Sequence, residues 1–163
     1  MRTLHSDGQL IEDGWRVLSD DAAAGPLPGG DILLSLAAWR ASEAGRKGHN
    51  GQIGVWLENT DEPETLEAEL LSVPLLAVRF PAFNDGRGLS IAVLLRTRRG
   101  YAGELRAIGD VQLDQLSYMR RCGFDSFALR DGDDAEAMRA HLVVMSEYYQ
   151  PSVLEPRPLF RRR

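Results

Sequence analysis

From Gln52 onward the chain repeats one pattern four times: a short apolar run, then a stretch whose apolar residues recur at helical spacing. The first run is Ile53 to Leu57, and the following stretch, after Thr60 or Asp61, opens with Pro63 and two glutamates and carries Leu66 and Leu70 at i and i+4. The second pair is Leu75 to Phe80 with Leu89 to Arg98; the third is Gly103 to Ile108 with Val111 to Cys122, Asp110 as the expected cap and Gly123 as the expected stop. The fourth is Phe124 to Leu129 with Asp134 to Tyr149, where Ala135, Met138, Leu142, Met145 and Tyr149 share one helical face before Pro151. Strands separated by one helix each imply parallel pairing through crossovers, since a tight hairpin cannot join parallel strands. The predicted class is α/β, about four consecutive βα units in a mainly parallel sheet, and periodicity leaves an open sheet and a half barrel equally open. A half barrel would leave two raw edges, which favours a homodimer.

The first thirty residues read differently. Gln9 to Ser19 alternates weakly around Leu10, Trp15, Val17 and Leu18, with Asp13-Gly14 as a turn, so a hairpin or edge strand is expected there. Asp20 to Gly30 reads as a connector. Asp31 then caps an expected helix through Ile32, Leu36 and Trp39, ending near Gly45 or Gly48. The resulting division is one α/β domain over 1–150, with that N-terminal extension, and a basic tail over 151–163.

Composition narrows the function classes. The 163 residues carry 44% hydrophobic and 26% charged side chains and a formal charge of -5, the profile of one globular domain. The tail holds Arg157, Arg161, Arg162 and Arg163 against Glu155 alone, so the body is more acidic than the whole. An acidic body argues against nucleic-acid binding, which needs a basic surface. The single cysteine, Cys122, leaves no disulfide framework and no thiolate cluster, and is read as a small buried hydrophobe. No apolar run is long enough to span a bilayer, and MRTLHSDGQLIEDG lacks the regions of a signal peptide, so a cytoplasmic protein without a membrane role is expected.

In parallel α/β folds, loops converge beyond the carboxyl ends of the strands, where helix amino termini offer free amides. The richest such segment is Asn84-Asp85-Gly86-Arg87-Gly88-Leu89-Ser90, with an acid, a guanidinium and two glycines ahead of a helix. Asn84, Asp85, Gly86, Arg87, Gly88, Ser90 and, from the third strand, Arg106 are therefore the expected ligand-binding residues. Asp85, Glu104, Asp110 and Asp114 are the candidates for acid and base work. Arg79 and Arg130 could bring further guanidinium groups to the same rim, suiting a carboxylate, phosphate or sulfur oxyanion. The plainer alternatives are a helix-capping turn with a surface arginine and an ion-pair network that holds adjacent units together. There is no G-x-S-x-G elbow, Walker loop, G-x-G-x-x-G helix opening or H-E-x-x-H, and His5, His49 and His141 show no ligand spacing, so no metal is expected. Tyr118 and Trp56 read as packing residues, whereas Tyr101, in a polar turn, is the aromatic least explained by a core.

The run FPAFNDGRGLSIAVLLRTRRGYAGELRAIGDVQLDQLSYMRRCGFDSFALRD, from Phe80 to Asp131, resembles the bacterial family called domain of unknown function 934. FNDGRG with Ser90, GYAGELRAIGDV, Asp114-Gln115 and RCGFD carry the resemblance in that order, and the opening IEDGW also fits it. Members are commonly encoded beside sulfite reductase and phosphoadenylylsulfate reductase and carry labels such as probable oxidoreductase of sulfite reduction. The resemblance thus implies an accessory protein of assimilatory sulfate and sulfite reduction, acting by partner contact or by binding an oxyanion or cofactor. The alternative it implies is an oxidoreductase or acid/base enzyme with an arginine-rich anion pocket. The cofactor stays unknown: neither a cysteine set nor a nucleotide fingerprint is present, which argues against autonomous electron transfer, while a flavin could still bind without a recognisable motif.

Overall fold

The computed structural model describes residues 2–162. Among these described residues eight short strands form one sheet: β1 (Arg2–His5), β2 (Leu10–Glu12), β3 (Arg16–Val17), β4 (Ile32–Ser35), β5 (Ile53–Leu57), β6 (Leu75–Phe80), β7 (Glu104–Gly109) and β8 (Ser126–Ala128). Six helices accompany them: α1 (Asp20–Ala23), α2 (Leu36–Ala41), α3 (Glu43–Arg46), α4 (Arg87–Thr97), α5 (Leu116–Cys122) and α6 (Ala135–Ala140). The strand order is β2-β1-β8-β7-β6-β5-β4-β3. Strands β3 to β8 lie side by side in chain order and run parallel, whereas β1 pairs antiparallel with β8 and β2 antiparallel with β1. The class is α/β as expected, but the N-terminal hairpin makes the sheet mixed rather than mainly parallel. No helix among the described residues is long and apolar enough to cross a membrane.

Chain connectivity forces the sheet to curl. Strands β2 and β3 occupy opposite edges, yet only Asp13, Gly14 and Trp15 separate them. Edges of a flat eight-stranded sheet would stand about 34 Å apart. The four Cα steps from Glu12 to Arg16 reach at most about 15 Å. The result is a curled half barrel whose two edges are tied by a three-residue connector across the concave side. Trp15 of that connector packs on Leu33, Leu75 and Ala77, and Asp13 reaches Arg106 in β7.

Side-chain alternation sorts the two faces. On the convex face Leu34, Val55, Leu57, Leu76, Val78 and Phe127 are fully buried in the main core, which also takes Trp39 from α2, Ile91 and Leu95 from α4, and Leu116 and Met119 from α5. The concave face carries the smaller cluster under Trp15 together with Glu104, Arg106 and Ser126. Gly88 lets α4 sit close against β6: a Cβ there would lie 2.7 Å from the Phe80 ring.

Several expected elements take another form. Ile32–Ser35 is a strand, not the first turn of a helix, because it lies between β3 and β5 and is buried on both faces, the setting in which a parallel strand reads as a continuous apolar run. Asp31 accepts from the Gln52 amide instead of capping, and the cap of α2 is Ser35, whose Oγ accepts from Ala38 N at 3.0 Å. The expected hairpin turn at Asp13-Gly14 is the edge-to-edge connector; the hairpin itself joins β1 and β2. The helix expected after Asp61 is two 3₁₀ turns, Pro63–Thr65 and Ala68–Ser72. Arg99 donates to the Glu64 and Leu66 carbonyls at 2.6 and 2.7 Å, oxygens that a helix would have used internally, while Leu66 and Leu70 still reach the core.

The helix expected from Asp134 to Tyr149 is capped by Asp134 but ends at Ala140. Val143, Val144, Met145 and Tyr149 remain exposed, so its amphipathic face meets no surface beyond Leu142. Asp110 does not cap the third helix. Gln112 and Gln115 form a capping box there, and α5 stops where expected, at Gly123 with φ +106°. Tyr101 belongs to the core after all: it is 2% exposed, with its hydroxyl 3.1 Å from the Val73 carbonyl and 3.0 Å from that of Glu104.

Candidate functional site

The loops beyond β5, β6, β7 and β8 meet along one rim, and carboxylates hold them together. Asp85, in the loop ahead of α4, accepts from Arg87 Nε at 2.9 Å, from Arg87 Nη2 at 2.6 Å and from Asn59 Nδ2 at 2.5 Å. Asn59 follows β5 and is buried, so this carboxylate ties two neighbouring loops. The Arg87 guanidinium pushes the Asp85 carboxyl down to about 2. Asn84 and Ser90 are exposed beside it, Ser90 in the first turn of α4.

Asp110 does the same one strand further along. Its Oδ2 accepts from the Phe83 amide at 2.9 Å, and its Oδ1 accepts from Gln112 Nε2 and from Arg130 Nη1, both at 2.6 Å. Gln115 Nε2 donates to the Phe83 carbonyl at 2.6 Å, so the Asn84 to Gly88 turn and the Gly109-Asp110 turn share one rim and are bonded to each other. Arg130 is also paired with Asp133. Asp114 is exposed in the 3₁₀ turn before α5.

Glu104 and Arg106 stand elsewhere. Glu104 begins β7 and Asp110 follows its end, so a strand about 17 Å long separates those two carboxylates. Arg106 lies on the concave face and is 1% exposed. Its Nη1 meets Asp13 Oδ2 at 2.5 Å, its Nη2 meets Glu104 Oε1 at 2.7 Å, and its Nε donates to Ser126 Oγ at 3.1 Å. Thr3 Oγ1 donates to Asp13 at 3.2 Å. Parity along β7 places Glu104 and Arg106 on one face, as the sequence predicts. Their third partner, Asp13, sits in a segment that reads as an isolated turn, and nothing near it in sequence announces a buried guanidinium.

The electrostatics of the rim follow from these pairings. Arg79 meets Glu58 at 2.8 Å, Arg87 meets Asp85, and Arg130 meets Asp110 and Asp133. Each of these guanidinium groups already has a carboxylate. Asp85, ionised at neutral pH with both oxygens engaged, is a poor proton acceptor. The rim is thus suited to holding loops and presenting Phe83, which is more than half exposed, rather than to concentrating free positive charge. Among the described residues no group of three or more His, Cys, Asp and Glu side chains is placed to hold a metal ion.

A second concavity, which the sequence does not announce, lies on the outer face between α4 and α5. It is a groove of about 340 Å³ lined by Val93, Thr97, Tyr118, Arg121, Cys122 and Val153, among others. The Cys122 thiol at its floor is buried, and burial raises its pKa, so it is a packing group rather than a nucleophile.

The family model described as bacterial protein of unknown function (DUF934) matches residues 54–160. That is more than half of the chain, and the chain belongs to this family. Neither the curated proteins nor the solved structures contain a match to it.

Proposed function

We propose that this member of the DUF934 family is a cytoplasmic accessory protein of assimilatory sulfate and sulfite reduction that acts by contact with another protein. The sulfur route comes from the family resemblance. The mode of action is supported by a single observation, the apolar surface at the C-terminal end. Val143, Val144, Met145, Tyr149 and Phe160 are each more than half exposed, and the Tyr149 and Phe160 rings lie 6.4 Å apart. Exposed apolar surface gathered in one part of a chain marks a surface that meets another molecule. The alternative, an oxidoreductase or acid/base enzyme with an arginine-rich anion pocket, draws less support, because the rim guanidinium groups are paired with carboxylates of the chain itself.

The test is a pull-down of sulfite reductase, and in parallel of phosphoadenylylsulfate reductase, with the full-length protein, next to calorimetry with sulfite. Association with either reductase, weakened by Val144→Asp, is the expected result. Sulfite binding that disappears in Arg87→Ala, with no association to either reductase, would overturn the accessory reading in favour of the anion pocket.

A further inference from the structure

The outer groove between α4 and α5 has the form of a docking site. Val93 and Thr97 stand one turn apart on α4, and Tyr118 and Cys122 stand one turn apart on α5, so two facing pairs make its walls. The third side is the chain after Tyr148. Ser117 and Tyr148 share a hydrogen bond at 2.7 Å, and the Val153 amide donates to the Arg121 carbonyl at 3.1 Å, which lays Pro151 to Pro156 along α5. A second hollow of about 290 Å³ shares Val93, Tyr118 and Cys122 and extends along α4 past Leu94 to Leu89 and Ser90. Together they form one apolar trough running the length of α4.

Charge distinguishes this trough from the strand-end rim. Arg121 lines it, with its guanidinium 4.0 Å over the Tyr148 ring and Nη2 donating to the Gln150 carbonyl at 3.3 Å. Unlike Arg79, Arg87 and Arg130, it has no carboxylate within ion-pair distance among the described residues. A guanidinium without a counter-charge at the edge of an apolar groove selects for a carboxylate brought by another molecule. The apolar floor selects for a hydrocarbon side chain beside it.

We infer that the trough seats an acidic, apolar segment of a partner protein. One apolar side chain enters between Val93 and Tyr118 above Cys122, and a carboxylate of the same segment meets Arg121. This assignment rests on the accessory reading and adds to the exposed C-terminal side chains a second surface through which the partner is held.

The probe is a short fluorescein-labelled peptide that alternates glutamate with leucine and phenylalanine, compared with a counterpart carrying lysine for glutamate. Anisotropy should show the acidic peptide binding the full-length protein and weakening with added salt, and the lysine peptide not binding. Arg121→Glu should weaken the acidic peptide about tenfold. Thr97→Trp, at an exposed position on the groove wall and so compatible with folding, should block it. Equal binding of both peptides, or unchanged binding to both variants, overturns the assignment. So does a dimer in light scattering that Thr97→Trp dissociates, because a second copy would then be the occupant. Sulfite reductase that associates equally with wild type and Thr97→Trp ends the groove assignment while leaving the accessory reading intact. Arg121-dependent peptide binding without any reductase association does the reverse.

Discussion

Arg106 shows what a single buried charge asks of its surroundings. A guanidinium removed from water is tolerable only when its donors and its charge are met, and Asp13, Glu104 and Ser126 together do this from three separate strands or loops. Replacing it with leucine would strand the Asp13 carboxylate, which is largely buried, and Glu104. Arg106→Leu should therefore lose about 3 kcal/mol of stability, read as a lower urea midpoint. Asp85 is the opposite kind of group, a surface carboxylate pinned by a fork of donors. Its folded pKa, about 2, lies below the unfolded value near 3.9, so the stability it contributes is present above that unfolded value and is lost as pH falls towards 2. NMR titration of its carboxyl carbon should give a midpoint near 2, and Arg87→Ala should return it towards the ordinary carboxylate range. Both residues stand out in the sequence as acid and guanidinium near glycine. Which acid meets which guanidinium does not, because Asp85 finds its partner two residues away whereas Arg106 needs one more than ninety positions distant.

At the scale of elements, the legible ones are those whose packing agrees with their local pattern. Arg87–Thr97 forms where apolar residues recur at helical spacing, and it approaches β6 closely only because Gly88 has no side chain. Gly88→Ala should cost about 1–3 kcal/mol by pressing a methyl group into the Phe80 ring, which a thermal melt would show as a lower midpoint. Ile32–Ser35 was open to either reading, since three apolar residues followed by Leu36 and Trp39 satisfy a helix as well as a buried strand. Its flanking strands settle it. Residues 141 to 149 fail as a helix for the converse reason: the stripe of Leu142, Met145 and Tyr149 exists, but the fold offers it no surface beyond Leu142. A periodic stripe states what an element can bury and not whether anything is there to cover it.

For the molecule as a whole, closure of the sheet depends on its N-terminal residues. β1 covers the edge of β8, β3 and β4 extend the other edge, and Asp13 with Trp15 spans the concave side between them. The stretch matched by the family model, 54–160, lacks β1, β3, β4, Asp13 and Trp15. Expressed alone it would expose the backbone of β5 and β8 and leave Arg106 without Asp13. Light scattering should then find it aggregated under conditions where the full chain is not. The succession of strand and helix from Leu75 to Cys122, the α/β class and the gathering of the Asn84 and Asp110 turns at one rim are consequences of local periodicity and of the handedness of parallel crossovers, so the order of residues alone determined them. The curl of the sheet, the burial of Arg106 and the groove between α4 and α5 were decided only in three dimensions. Each depends on segments far apart in the chain meeting at a short distance, and neither hydrophobic period nor charge count carries that distance.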